Sequence, residues 1–178
     1  TDEFLVSDAG TLKRIDYSLI KGGGITEIDQ FRLSASFDNS ADITSNLERV
    51  DTTPQGKLGT GMSESSGIFT FPSTGFYLVK FNVMWLGNGD SDVRQAGGAI
   101  KVTTNNSSYA TFAEAYNGTN NHGLDYYMSS EANTILDITD TSNQKVKFNA
   151  FTSISTLTCV GSSSLNATYM TFIRLGDT

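Results

Sequence analysis

The sequence predicts an all-β domain, and three observations carry that prediction. Hydrophobic residues make up 38% of the 178-residue chain and charged residues only 17%. The balance is rich in Ser, Thr, Asn and Gly, whereas a helical bundle would draw on Ala, Leu, Glu and Lys. From Ile25 onward, apolar residues recur at every second position in short runs, the period of a half-buried strand. Turn-forming residues separate those runs. With 17 Gly and 2 Pro, the turns rest mainly on Gly, Asn, Asp and Ser, which reach positive φ or bond their own backbone.

The elements follow in order. Thr1 to Gly24 reads as an arm or connector: Phe4, Leu5 and Val6 are apolar, Asp8-Ala9-Gly10 is a turn, Leu12, Ile15 and Tyr17 add apolar positions, and Gly22-Gly23-Gly24 marks a flexible joint. Residues 25–178 form the main domain. Phe31, Leu33, Ala35 and Phe37 alternate with polar residues as a first strand. Asp38 to Gly59 is polar and reads mostly as loop, anchored by Leu47 and Val50. Ile68 to Phe71 leads through a Pro72-Ser73-Thr74-Gly75 turn into Phe76–Leu86, which is apolar on both faces and therefore central. Trp85 is expected to be buried. Strands are predicted at 99–103, 109–116, 126–130, 134–138, 146–154 and 167–175, with a loop at 117–123. Phe151 falls on the opposite face from Phe148 and Ala150, which means a second covered face or a bulge. The pattern gives eight to ten strands and fits a sandwich, jelly roll or barrel.

From about Gly59 to Leu175, the order of signals resembles the C1q/tumour-necrosis-factor-like jelly roll. The residues that carry it are Thr60-Gly61, Ser66-Gly67-Ile68-Phe69-Thr70-Phe71-Pro72 and Gly75-Phe76-Tyr77-Leu78-Val79. The family's last strand usually carries Phe-Ser-Gly, where this chain has Ser163-Ser164-Leu165-Asn166-Ala167-Thr168-Tyr169-Met170. The resemblance implies a jelly-roll β-sandwich assembled as a compact homotrimer with an aromatic-rich centre. The N-terminal run from Phe4 to Tyr17 resembles segments of marine bacteriophage structural proteins that precede a fibre or distal binding domain. That implies a virion component made in the host cytoplasm: a tail fibre, a spike or a capsid-decorating protein, attached to other virion proteins through residues 1–24 and positioned for host attachment.

The formal net charge of −7 and the absence of a basic stripe argue against nucleic acid as a partner. No apolar run is long enough to insert in a membrane, and Thr1-Asp2-Glu3-Phe4 does not open a signal peptide. The chain starts without Met, so a processed protein or a piece of a longer one is expected. The single cysteine, Cys159, lies in an apolar run and reads as a small buried hydrophobe.

Catalysis is not expected, and no catalytic residue is assigned. The single His and single Cys leave no nucleophile–base set beyond His122 in an Asn/Gly-rich loop, and Gly61-Met62-Ser63-Glu64-Ser65 lacks the last glycine of a nucleophile elbow. No cofactor is expected. The C1q-like resemblance admits a Ca²⁺ site, for which Asp90 and Asp92 supply grouped oxygens. The candidate ligand-binding residues are Tyr116, Asn117, Asn120, Asn121, His122, Asp125 and Tyr126, where aromatics beside amides and carboxylates suit the hydroxyls of a host-surface glycan or a protein partner. The competing readings are a secreted C1q-like lectin or ligand and, third, a polysaccharide-degrading enzyme.

Overall fold

A computed structural model describes residues 3–16, 24–87, 92–120 and 123–178. Among them every regular element is a strand. The arm holds β1 (Glu3–Asp8) and β2 (Thr11–Asp16), an antiparallel hairpin joined through Ala9 and Gly10 at φ 48° and 83°. Two successive positive φ values match the right-handed twist of a two-residue hairpin, and Gly10 adopts that conformation without a Cβ penalty.

The body is a two-sheet sandwich of β3 (Ile28–Leu33), β4 (Phe37–Asp38), β5 (Ala41–Asp42), β6 (Leu47–Arg49), β7 (Ser63–Ser65), β8 (Ile68–Thr70), β9 (Gly75–Gly87), β10 (Val93–Thr103), β11 (Ala110–Thr119), β12 (Tyr126–Ile138), β13 (Lys145–Thr152), β14 (Thr158–Cys159) and β15 (Tyr169–Gly176). In the first sheet β9 is central. β12 pairs with its whole length on one side, β15 and β14 lie on the other, and β3 and β6 complete the edge beyond β15. The second sheet runs β11–β10–β13–β8–β7, with β5 also against β13. First and last strands of the body pair directly, Ile28 opposite Ile173, so the topology is that of a jelly roll.

The core follows from the alternation. Tyr77, Val79, Phe81, Val83 and Trp85 all point inward from β9 and are buried. Opposite them stand Ile100, Val146, Phe148 and Ala150 of the second sheet. Phe69 sits at the centre, its ring 5.1 Å from Phe31, 5.4 Å from Phe148 and 5.1 Å from Phe172. Each such side chain stabilises the fold by about 1.5–3 kcal/mol through burial, with edge-on ring contacts adding to it. Trp85 donates its Nε1–H to the Gly97 carbonyl at 3.2 Å, so its one polar atom is satisfied. Gly98 lets the Phe81 ring lie against the β10 backbone, since a Cβ there would stand 2.4 Å from Phe81 Cε1.

At the end where the body begins, a buried carboxylate fixes the chain crossing. Asp29 accepts the Met62 N–H at 2.7 Å and the Arg49 Nε–H at 3.2 Å, while Glu27 accepts the N–H groups of Thr60 and Gly61 at 3.1 and 2.9 Å. Arg49 also donates to the Met62 carbonyl. A buried carboxylate is tolerated only with such partners.

Several sequence expectations change. The first strand stops at Leu33, leaving Ala35 exposed and Phe37 in the separate β4. The stretch from Asp38 to Gly59 contains the short strands β5 and β6 as well as loop. The segments at 126–130 and 134–138 are one strand, β12, because the β9 ladder supplies hydrogen bonds through the polar Glu131 and Asn133 as readily as elsewhere. β11 continues to Thr119, so Asn117, Gly118 and Thr119 belong to a strand. The β10–β13 register is unbroken through Phe151, so that residue faces outward, half-buried, rather than at a bulge.

Candidate functional site

Strand β9 has thirteen residues and spans about 40 Å at roughly 3.3 Å per residue. Its register separates two ends. Gly75 lies opposite Ile138 near the entry segment 24–27, and Gly87 lies opposite Tyr126. The body's first residues and its last strand meet at the first end, where Arg174 donates to the Thr74 carbonyl at 3.0 Å. The predicted ligand residues gather toward the other.

The structure divides those residues. Tyr116 projects from the outer face of the second sheet, 56% exposed, its ring centroid 6.4 Å from Phe151. Between them runs Gly97, over which Tyr116 leans: a Cβ on Gly97 would come within 2.7 Å of Tyr116 Cα and Cβ. Asn117 is engaged at the seam between the sheets, donating its amide to the Ser129 carbonyl, beside the Ser130 hydroxyl bond to the Ala115 carbonyl at 3.1 Å. Tyr126 packs its ring over Gly87, and burial together with the charge of Asp92 pushes its hydroxyl pKa up. Asn120, Asp125 and Asp92 are exposed at the same end. Asn121, His122 and Asp90 lie outside the described residues. Among the described residues no three His, Cys, Asp or Glu side chains group as metal ligands. The Cys159 thiol is buried and its pKa is pushed up to about 12 by desolvation, so it is no nucleophile.

The first sheet turns a second surface outward, and the sequence reading did not assemble it. Ile135 of β12 stands opposite Leu78 of β9, Leu78 opposite Ile173 of β15, Ile173 opposite Ile28 of β3, and Ile28 bridges to Leu58. These five apolar residues form one row across the sheet, with Ile135 61% and Leu58 45% exposed. Phe76 lies one row away at 39% exposure. The middle of the face is polar: Lys80 pairs with Glu131 at 3.0 Å, and Asn82 donates to the Ala167 carbonyl at 2.8 Å. At the far end apolar side chains return, with Tyr127, 66% exposed, opposite Leu86. The sequence signal was the outward apolar face of Phe76, Leu78 and Met84. The row itself depends on pairings between residues up to 145 positions apart, Ile28 with Ile173.

The arm presents a third surface. In the hairpin register, Val6 stands opposite Lys13 on one face, and Leu5 opposite Arg14 and Ser7 opposite Leu12 on the other, while the side chains of Phe4 and Ile15 lie outside the described residues. Leu5, Val6 and Leu12 are 69%, 36% and 70% exposed. Tyr17 lies outside the described residues.

Comparison with known proteins bears on the fold. Murine APRIL at pH 5.0 superposes with a TM-score of 0.60 at 13% identity, covering 84% of this chain and 98% of that one. Eiger TNF from S. frugiperda gives a TM-score of 0.61 at 12% identity, covering 85% and 93%. No family model matches, and no curated protein matches. The chain therefore has a TNF-like jelly-roll fold, and at these identities the likeness is one of fold.

Proposed function

We propose that the protein is a non-enzymatic structural and binding module of a phage virion, a homotrimer attached through residues 1–24 and presenting its opposite end to host-surface glycans or proteins. The observation that carries the assembly is the apolar row Ile135–Leu78–Ile173–Ile28–Leu58, with apolar side chains returning at Leu86 and Tyr127. An exposed apolar row of this kind on one sheet of a sandwich marks a protein interface, and the polar residues between the row and Leu86 with Tyr127 fix its register. A heterologous contact that closes after three copies buries the face of every protomer. The placement in a virion is supported by the resemblance of Phe4 to Tyr17 to phage structural segments. The entry of the chain into the body and the turn at Gly87 and Tyr126 lie at opposite ends of a body about 40 Å long, which suits a fibre tip or a decoration protein. Tyr116, Asn120, Asp125 and Tyr126 supply stacking rings and polar groups at or near the end away from the arm.

The second reading is a secreted C1q-like lectin or ligand, favoured by the fold likeness to murine APRIL and Eiger TNF. Immunogold microscopy with an antibody against the purified chain separates the two. Label on particles from the lysate in which the chain is made is the expected result. Recovery of the chain only in the particle-free supernatant contradicts the virion placement and favours the second reading.

A further inference from the structure

We propose that the second sheet carries a binding site of its own, a small polar cleft beside the β7–β8 hairpin that takes one carboxylate-bearing sugar residue. The site needs neither the trimer nor the virion placement, and it lies away from Gly87 and Tyr126, at the end of the body where β13 begins.

The cleft follows from register. Phe69 and Val146 point into the core and are buried, so by alternation Ile68, Thr70 and Lys145 point outward. Ser63 stands opposite Thr70, Thr70 opposite Lys145, and Ser65 opposite Ile68. These five residues and Asn106 of the β10–β11 turn line a cleft of about 210 Å³. Small-molecule pockets usually start at about 300 Å³, so this one fits a single compact unit. The turn that supplies Asn106 is fixed in place. Asn106 donates its N–H to the Asn143 carbonyl at 3.0 Å, and Asn105 Oδ1 accepts the N–H groups of Ser107 and Ser108 at 3.0 and 2.9 Å. A wall built before the ligand arrives costs little ordering on binding.

The ligand's chemistry follows from which groups are spent. Just outside the cleft, Thr103 uses its hydroxyl within the turn, and Lys101 and Lys147 both donate to Asp42. Inside it, the side chains of Ser63, Ser65, Thr70, Asn106 and Lys145 bond no other group among the described residues. Glu64 also borders the cleft, but its carboxylate turns to the hairpin and accepts the Gly67 N–H at 2.7 Å. Lys145 is therefore a half-buried cation with no counter-ion, in a chain whose formal net charge is −7. An ammonium in that position suits a carboxylate. Three hydroxyls and an amide around it suit the hydroxyls of a sugar ring, and Ile68 offers an apolar spot for the ring's C–H face.

A titration of the full chain, followed by its amide NMR shifts, tests this. The probes are the methyl glycosides of glucuronic, galacturonic and mannuronic acid, with methyl glucoside and acetate as controls. At least one sugar acid is expected to move the Ser63, Ser65, Thr70, Asn106 and Lys145 amides to saturation, with both controls about tenfold weaker or worse. Lys145→Met should weaken that binding about tenfold or more, as loss of a charged hydrogen bond does, and Thr70→Val about threefold. Unchanged shifts elsewhere in each variant show that the fold is kept. No response at these amides to any of the three acids overturns the proposal. Equal binding of methyl glucoside overturns the carboxylate, and equal binding of acetate overturns the sugar. Shifts confined to the surroundings of Tyr116 and Tyr126 overturn this site and leave the far-end reading standing.

Discussion

Ile135 stands directly opposite Leu78 across the β9–β12 pair, on the side of the sheet turned away from the core. Neither residue contributes to the packed interior, so Ile135→Asp is expected to leave the sandwich intact. The same change should lower the solution mass toward the monomer, because it sets a charge in the apolar row of every protomer. Burial of an isoleucine contributes about 1.5–3 kcal/mol, and three sites per assembly make the effect large. Circular dichroism and light scattering on the variant check the two halves. An unfolded variant, or one of unchanged mass, contradicts this.

Asp42 on the outer face of the second sheet receives Lys147 Nζ at 2.7 Å, Lys101 Nζ at 2.9 Å and Asn149 Nδ2 at 2.8 Å. Partial burial pushes its carboxyl pKa up, but the hydrogen bonds from Lys147, Lys101 and Asn149 and the Lys101 charge outweigh that and hold it below the ordinary value. A depressed folded-state pKa means stability that is fully present above the unfolded value of about 3.9 and lost as pH falls through the folded one. Asp42→Asn should therefore cost about 1–2 kcal/mol near neutral pH, given the site's partial exposure. The difference from the parent chain should shrink below about pH 4. Denaturant melts of both proteins at neutral and acid pH measure it, and a difference independent of pH counts against the carboxylate's role.

Gly98 is where the second sheet yields to Phe81. Replacing it with Ala normally gains about 0.5–1 kcal/mol in a strand by removing backbone freedom from the unfolded chain. Here the added Cβ would lie 2.4 Å from Phe81 Cε1 and 3.1 Å from Val83 Cγ1. Phe81 is held in turn by Phe148, 5.0 Å away ring to ring, so it has little room to retreat. Overpacking of about 1–3 kcal/mol wins, and Gly98→Ala is expected to destabilise. Thermal unfolding decides the sign.

Cys159 is fully buried between β4 and β9, with Thr168 Oγ1 3.7 Å from its sulfur. A thiol pKa near 12 leaves almost no thiolate at pH 8. Ellman's reagent should find no reactive thiol in the native chain and one per chain in denaturant. A native chain that reacts at once would mean that this end of the sandwich opens.

Much of this fold was legible. Strand β9 announced itself as central through apolar residues on both faces, and Trp85 is buried as expected. The Asp8-Ala9-Gly10 turn of the arm is a hairpin turn with both central φ values positive. Phe31 and Phe37 were joined into one strand because alternation alone carries no stop signal; the chain breaks after Leu33, where Ser34 N–H bonds the Asn46 carbonyl at 2.7 Å. Thr119 read as loop because its neighbours are Asn and Gly, yet it pairs with Val93. The candidate ligand stretch was compact in sequence but divides in space, Tyr116 facing outward from one sheet and Tyr126 packing over Gly87. The apolar row was hidden for the opposite reason: its members are single residues on separate strands, and only the register aligns them.

The outward face of the first sheet is the surface proposed to join three copies of the chain. Light scattering on the purified full chain tests this. The expected mass is three times the 19.2 kDa of one chain, unchanged on dilution through the micromolar range. A particle with the mass of a single chain would contradict it.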